Sequence, residues 1–222
     1  FAYTNANAGA NKTVTVSGTT DTLINPGLGL RADANGNIAI ATTSTYYRVN
    51  YKTGAGMNKV TVSPTGSVIQ PGFDSFNEMF TGYVLDGAGP IKIYDGNFTF
   101  LGNVVDTSRG FARSMEVSAD GNDVYFAGFT NSYVTRYHSD NGSLGPYSKV
   151  DTILKGYSVE SITRHPKTGA IWVSGGSGGA ANTIAYRQYA WYAFAPPNFT
   201  TPVDSLRWNG PTVLDPRPRG LA

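Results

Sequence analysis

The chain has no cysteine, which excludes thiol catalysis, cysteine-ligated zinc and a disulfide framework. Charge is scarce as well: 14% of the 222 residues are Asp, Glu, Lys or Arg, against ~25% in an ordinary soluble domain. Seventeen basic residues face 15 acidic ones for a net charge of +2, which leaves no electrostatic footprint for a nucleic acid. No apolar run approaches the ~18 residues that a membrane-crossing helix needs. Helical periodicity is missing too, since no stretch of about twelve residues keeps a 3.6-residue period free of Gly and Pro. The two histidines, His138 and His165, fall in different repeats and cannot by themselves make a His-rich zinc site.

What is there is the vocabulary of strands and turns. Glycine (27), proline (12) and aromatics (13%) are plentiful. Short β-branched and aromatic runs, such as Ile38-Ala-Ile-Ala41, Tyr83-Val-Leu85, Val124-Tyr-Phe-Ala127 and Ile171-Trp-Val173, lie between turn formers. The turns include Asp33-Ala-Asn-Gly36, Asp120-Gly121 and His165-Pro-Lys-Thr-Gly169. This predicts an all-β chain, a single domain over residues 1–222, long enough to bury its own core.

The strand runs at Ile38, Tyr83, Tyr125 and Ile171 recur at intervals of about 45 residues. A second register agrees, with Asp21, Asp106, Asp151 and Asp204 each followed by Thr or Ser late in its unit. Four short strands in about 45 residues is the size of a β-propeller blade. Asp215-Pro-Arg-Pro-Arg-Gly-Leu-Ala222 reads as an opening, innermost strand, and Phe1 to Ile24 read as strands two, three and four without a first. The expectation is therefore five four-stranded blades, with the C-terminal strand joining the N-terminal blade and removing exposed sheet edges. The alternative is a fragment of a six- or seven-bladed propeller. The chain opens directly on a strand-like segment, as a mature product or an excised piece does.

Phe1-Ala-Tyr-Thr-Asn5, followed by Asn11-Lys-Thr-Val-Thr-Val16, resembles the YVTN repeat of bacterial and archaeal surface-layer propellers. Asp120-Gly-Asn-Asp-Val-Tyr-Phe-Ala-Gly128, His165-Pro-Lys-Thr-Gly-Ala-Ile-Trp-Val173, Trp191-Tyr-Ala-Phe194 and residues 215–222 look like propellers in large exported proteins. Many of those carry a sorting domain for type IX secretion. The resemblance implies a secreted or cell-surface propeller and supplies no shared catalytic residues.

Innermost strands line a propeller's channel, and aligning them places Arg31, Glu78, Glu116, Glu160 and Arg219 near equivalent positions. Three carboxylates with two guanidiniums form either a site for a cation or polar ligand or a self-compensated ring around water. A hard cation there would prefer oxygen ligands, so Ca²⁺ is the metal expected if one binds, with no other cofactor implied. His165 is expected to stabilise a hairpin, and His138 to end a strand. No Gly-x-Ser-x-Gly elbow supports acyl transfer. Tyr46, Tyr47, Trp191, Tyr192 and Trp208 are read as packing between blades, with Trp172 buried among them. Tyr186 and Tyr189, beside the Gly-rich insert from Ser174 to Ala181, are the candidates for an aromatic binding surface; the insert itself is read as a loop or ligand lid. Asn11, Asn97, Asn141 and Asn198 fit the N-glycosylation pattern, and Thr22, Thr152 and Ser205 resemble O-glycosylation acceptors of type IX-secreting bacteria, or simply follow a turn-forming Asp.

Three functions compete. The leading one is a non-catalytic extracellular module that binds or assembles at the cell surface, with a glycan or protein partner. The others are a lactonase-like or glycan-processing hydrolase using channel carboxylates, and a self-assembling structural subunit of a surface layer or filament. Fold alone cannot separate them.

Overall fold

The computed structural model describes residues 14–16, 19–21, 29–62, 67–84, 89–108, 112–128, 133–155, 159–175 and 190–207. Apart from a short 3-10 turn at Gly142–Leu144, the elements among them are β-strands. The first sheet contains β1 (Val14–Val16), β2 (Thr19–Asp21), β3 (Gly29–Ala32), β4 (Ile38–Ala41), β5 (Thr45–Val49) and β6 (Gly56–Thr61). The second is β7 (Gly72–Phe73), β8 (Met79–Thr81), β9 (Ile91–Tyr94) and β10 (Phe100–Val105). The third is β11 (Ala112–Val117), β12 (Asp123–Gly128), β13 (Tyr133–His138) and β14 (Ser148–Ile153). The fourth is β15 (Val159–Arg164), β16 (Ile171–Gly175), β17 (Ala190–Phe194) and β18 (Asp204–Arg207).

Within each sheet four consecutive strands pair antiparallel in chain order, the meander of a propeller blade. The described residues form four blades, not the five expected from the repeat count. The difference lies at the N-terminal end. There β1 does not start a blade of its own but pairs parallel with β6, Val16 opposite Gly56, and β2 follows it antiparallel. These two strands extend the outer edge of blade 1 and cover a strand edge that would otherwise be open. Residues 215–222, expected to close the ring, lie outside the described residues.

Three apolar cores join the blades in series. Ala39, Tyr46, Val68, Phe73, Met79 and Tyr83 lie in the core between blades 1 and 2. Ile69, Phe80, Ile93, Met115, Val124 and Phe126 fill the joint of blades 2 and 3. Tyr125, Val134, Ile162, Val173, Tyr192 and Phe194 fill that of blades 3 and 4. Tyr46 is buried as expected, and its hydroxyl donates to the Ile69 carbonyl at 2.8 Å. Towards the centre the strands converge closely. A Cβ on Gly72 would lie 2.5 Å from Val117 Cγ2, so β7 and β11 meet only because that residue is glycine.

Local chemistry places the turns. Each blade's first hairpin begins with a side chain that accepts from the backbone two to five residues on. Asp33 Oδ1 takes the amides of Asn35 and Asn37 at 2.8 and 2.9 Å. Asp74 Oδ1 takes those of Phe76 and Glu78 at 3.0 and 2.9 Å. Ser118 Oγ takes Asp123 at 2.8 Å, and His165 Nδ1 takes Lys167 and Thr168 at 3.3 and 3.2 Å. The third hairpins repeat the device with Asn50, Asp95, Ser139 and Asn198. The turns at Asn97-Phe-Thr in blade 2 and Asn198-Phe-Thr in blade 4 each bury their phenylalanine, Phe98 and Phe199. The four-stranded meanders put these turns at one end of the molecule, the hairpin face.

Candidate functional site at the channel mouth

The hairpin register identifies the equivalent inner-strand positions. Arg31 pairs with Ala39, Gly72 with Phe80, Glu116 with Tyr125, and Thr163 with Trp172, each one step inside its turn. Glu116 and Glu160 are therefore not equivalents. Glu160 stands three residues earlier, at a bulge between Val159 and Ser161, and its counterpart is Arg113, at the matching bulge between Ala112 and Ser114. Both strands carry the bulge at the same place, so the count is equal in the two blades and Glu116 corresponds to Thr163. The two counterparts pair with each other, Arg113 Nε to Glu160 Oε2 at 3.3 Å. Glu78 is not on an inner strand; it closes the β7–β8 turn. Arg219 lies outside the described residues, as do Tyr186, Tyr189 and Thr22.

Arg31 and Glu116 do meet. Arg31 reaches from blade 1 across the channel, donating from Nη1 to Glu116 Oε2 at 2.5 Å and to Thr163 Oγ1 at 2.7 Å. Its Nη2 donates to the Ile162 carbonyl at 2.7 Å and the Met115 carbonyl at 3.3 Å. Glu116, only 3% exposed, also accepts from the amides of Val117 at 2.9 Å and Arg164 at 2.7 Å. Every carboxylate oxygen thus has a donor, as a buried charge requires. One guanidinium links the inner strands of blades 1, 3 and 4. A second buried pair, Arg48 with Asp33, was not expected from the sequence; Arg48 also donates to the Gly96 carbonyl of blade 2. Its signal was the turn motif at Asp33, read only as a turn.

At the same end lies an acidic pair. Asp74 is buried, and its Oδ2 has no donor within reach. Burial, with the hydrogen bond to the Glu78 carboxyl, pushes its pKa up to about 7. These groups surround a cavity of about 580 Å³ at the channel mouth. Arg31, Asp74, Glu116 and Thr163 supply its polar walls, Ile38 and Phe73 its apolar ones. The volume falls within the range of small-ligand sites. Among the described residues no three acidic or histidine side chains converge as a metal site.

The remaining candidates lie away from the mouth. Thr152 is half-buried on β14 and Ser205 exposed on β18, the outermost strands of blades 3 and 4. Trp172, expected to be buried, is half-buried on the outward face of blade 4. His165 holds its hairpin as expected. His138 sits on blade 3 with Nδ1 2.9 Å from Asp123 and Nε2 3.2 Å from Asp140, and these bonds raise its pKa. Beside it Arg136 spans to Asp151 through two bonds of 3.1 and 3.0 Å. The Gly-rich connection after Gly175 lies outside the described residues.

The fold matches known structures. The chain resembles the WD40 domain of Pan2 from Neurospora crassa, with a TM-score of 0.59 and 11% identity over 82% of this chain and 50% of that one. The chain is a β-propeller. It also resembles a protein of unknown function from Bacteroides caccae, with a TM-score of 0.57 and 11% identity over 81% of this chain and 60% of that one. The propeller thus spans half to three-fifths of the length of these two structures. No family model and no curated protein matches it. No helix among the described residues is long and apolar enough to cross a membrane.

Proposed function

We propose that this propeller is a non-catalytic extracellular binding module of the YVTN-type surface class, taking a polar ligand at the channel mouth. The observation that carries this is the state of the charges around the cavity. Glu116 is already held by Arg31 and two amides, and Asp33 by Arg48. Such a wall orients hydrogen bonds while the Glu116 and Asp33 carboxylates stay engaged by protein donors. Polar groups beside Ile38 and Phe73 suit a sugar ring, which has polar edges and apolar faces. Titration of the labelled protein with neutral and acidic oligosaccharides, followed by NMR, is expected to move the amides of Ser75, Ala119 and Thr163. A panel that moves none of them removes the reading.

One observation favours a hydrolase as the second reading. Asp74 lines the cavity and keeps its proton up to about pH 7, the property of a general acid. Release of reducing sugar that disappears in Asp74→Asn, with the fold intact by circular dichroism, would decide for it.

A further inference from the structure

Blade 1 has two faces of unequal completeness. Ala39, Ala41 and Tyr46 turn towards blade 2 and are fully buried. On the opposite face Leu30, Ile40, Tyr47 and Lys59 are direct cross-strand neighbours, forming one row from the channel to the rim. Leu30 is 54% exposed, and Met57 nearby is 42% exposed. The same positions elsewhere are closed. Ile38 and Ile40 correspond by register to Val124 and Phe126 in blade 3 and to Ile171 and Val173 in blade 4, all 0% exposed because a preceding blade covers them. Among the described residues, the outward face of blade 1 therefore carries the side chains of an interblade joint with no blade over it.

The other end of the arc has the complementary face. Thr163, Trp172, Ala193 and Asp204 form one row across blade 4; Thr163 is held by Arg31 and Ala193 is buried, so Trp172 and Asp204 are its accessible members. Trp172 takes the position of Ala39 in blade 1 and Tyr125 in blade 3, both closed by a following blade, yet it is half-buried. At the rim blade 1 presents Lys59 and blade 4 presents Asp204, both exposed and opposite in charge. We propose that the outward face of blade 1 docks the outward face of blade 4 of a second copy of this chain, head to tail, repeating the packing of consecutive blades. The joint places Tyr47 and Ile40 against Trp172 and sets Lys59 beside the second copy's acidic rim. It also walls the open side of the channel mouth at Leu30 and Ile38. Such a contact is heterologous, so it closes into a ring or grows, according to its rotation.

Sedimentation of the chain over about two decades of concentration tests this, because self-association follows mass action. The expected result is a reversible rise above the monomer mass. Leu30→Glu, exposed and therefore harmless to folding, should abolish it. Lys59→Glu should weaken it about tenfold, and Lys59→Glu with Asp204→Lys should recover most of that loss, since reversed charges attract again. Leu144→Glu, on a turn of blade 3, should change nothing. A chain that stays monomeric at every concentration overturns the proposal and assigns the face to further blades of the same polypeptide. So does a double reversal that fails to recover association. Neither result touches the sugar reading, which the amides at the mouth report separately.

Discussion

Strand β12 in blade 3 and strand β4 in blade 1 hold the same place in their sheets but meet different surroundings. In β12 Val124, Tyr125, Phe126 and Ala127 are all 0–1% exposed, because blades 2 and 4 press on its two faces. In β4 only Ala39 and Ala41 are buried, while Ile38 and Ile40 are half-open. The sequences carry the difference: an unbroken apolar run where both faces are covered, alternating large and small residues where one is. The lesson is that a blade is not a stable unit by itself. Its second face draws stability from its neighbour, as in any stacked repeat.

The largest effect should come from the centre of that comparison. Phe126→Ala is expected to cost about 3–5 kcal/mol in urea unfolding, while Ile40→Ala costs about 1 kcal/mol. Equal losses would mean that blade 1 is as enclosed as blade 3. Glu116→Ala removes the acceptor that ties Arg31 of blade 1 to blade 3 and strands a guanidinium at the channel; a loss of about 3 kcal/mol should follow. Replacing both partners, with Arg31→Met and Glu116→Leu, should regain much of it. A double variant no better than the single would show that the backbone contacts of Arg31 to Met115 and Ile162 matter more than the ion pair.

The smaller effects concern protons. Asp74 holds its proton up to about pH 7 in the folded chain, well above an ordinary carboxylate. Its contribution is fully present below the unfolded value near pH 4 and is lost as pH rises through about 7. Asp74→Asn, which cannot ionise, should flatten that decline and stabilise the chain by about 1–2 kcal/mol at pH 8. A decline of unchanged slope would move the titration to another group. His138 behaves in the same direction for the opposite reason: the carboxylates of Asp123 and Asp140 favour its charged form, so its contribution fades as pH climbs past its raised pKa. Because the ring is partly open to solvent, His138→Gln should cost below about 0.5 kcal/mol at pH 6 and almost nothing at pH 9. A loss that is the same at both values would make His138 a packing residue.

Much of this architecture was legible in the residues. The repeat follows from runs such as Val124-Tyr-Phe-Ala127, because strands of this length read as strands from their own composition. The turns follow from Asp33, Asp74 and His165, since each acceptor reaches only backbone a few residues away. The all-β class and the blade-sized unit are consequences of such short-range rules. That Arg31 and Glu116 lie on inner strands was also legible, although their pairing was not. What needed the tertiary structure was everything that depends on register and curvature. Register makes Thr163, not Glu160, the counterpart of Glu116, and the curvature of the sheets brings Arg113 of blade 3 to Glu160 of blade 4 and Arg31 of blade 1 to Thr163. The blade number turned on which edge β1 selects, a choice between hydrogen-bonding partners far apart in the chain. The open faces of blades 1 and 4 exist only because the blades stack along an arc; an isoleucine in alternation reads the same whether or not a neighbour lies over it.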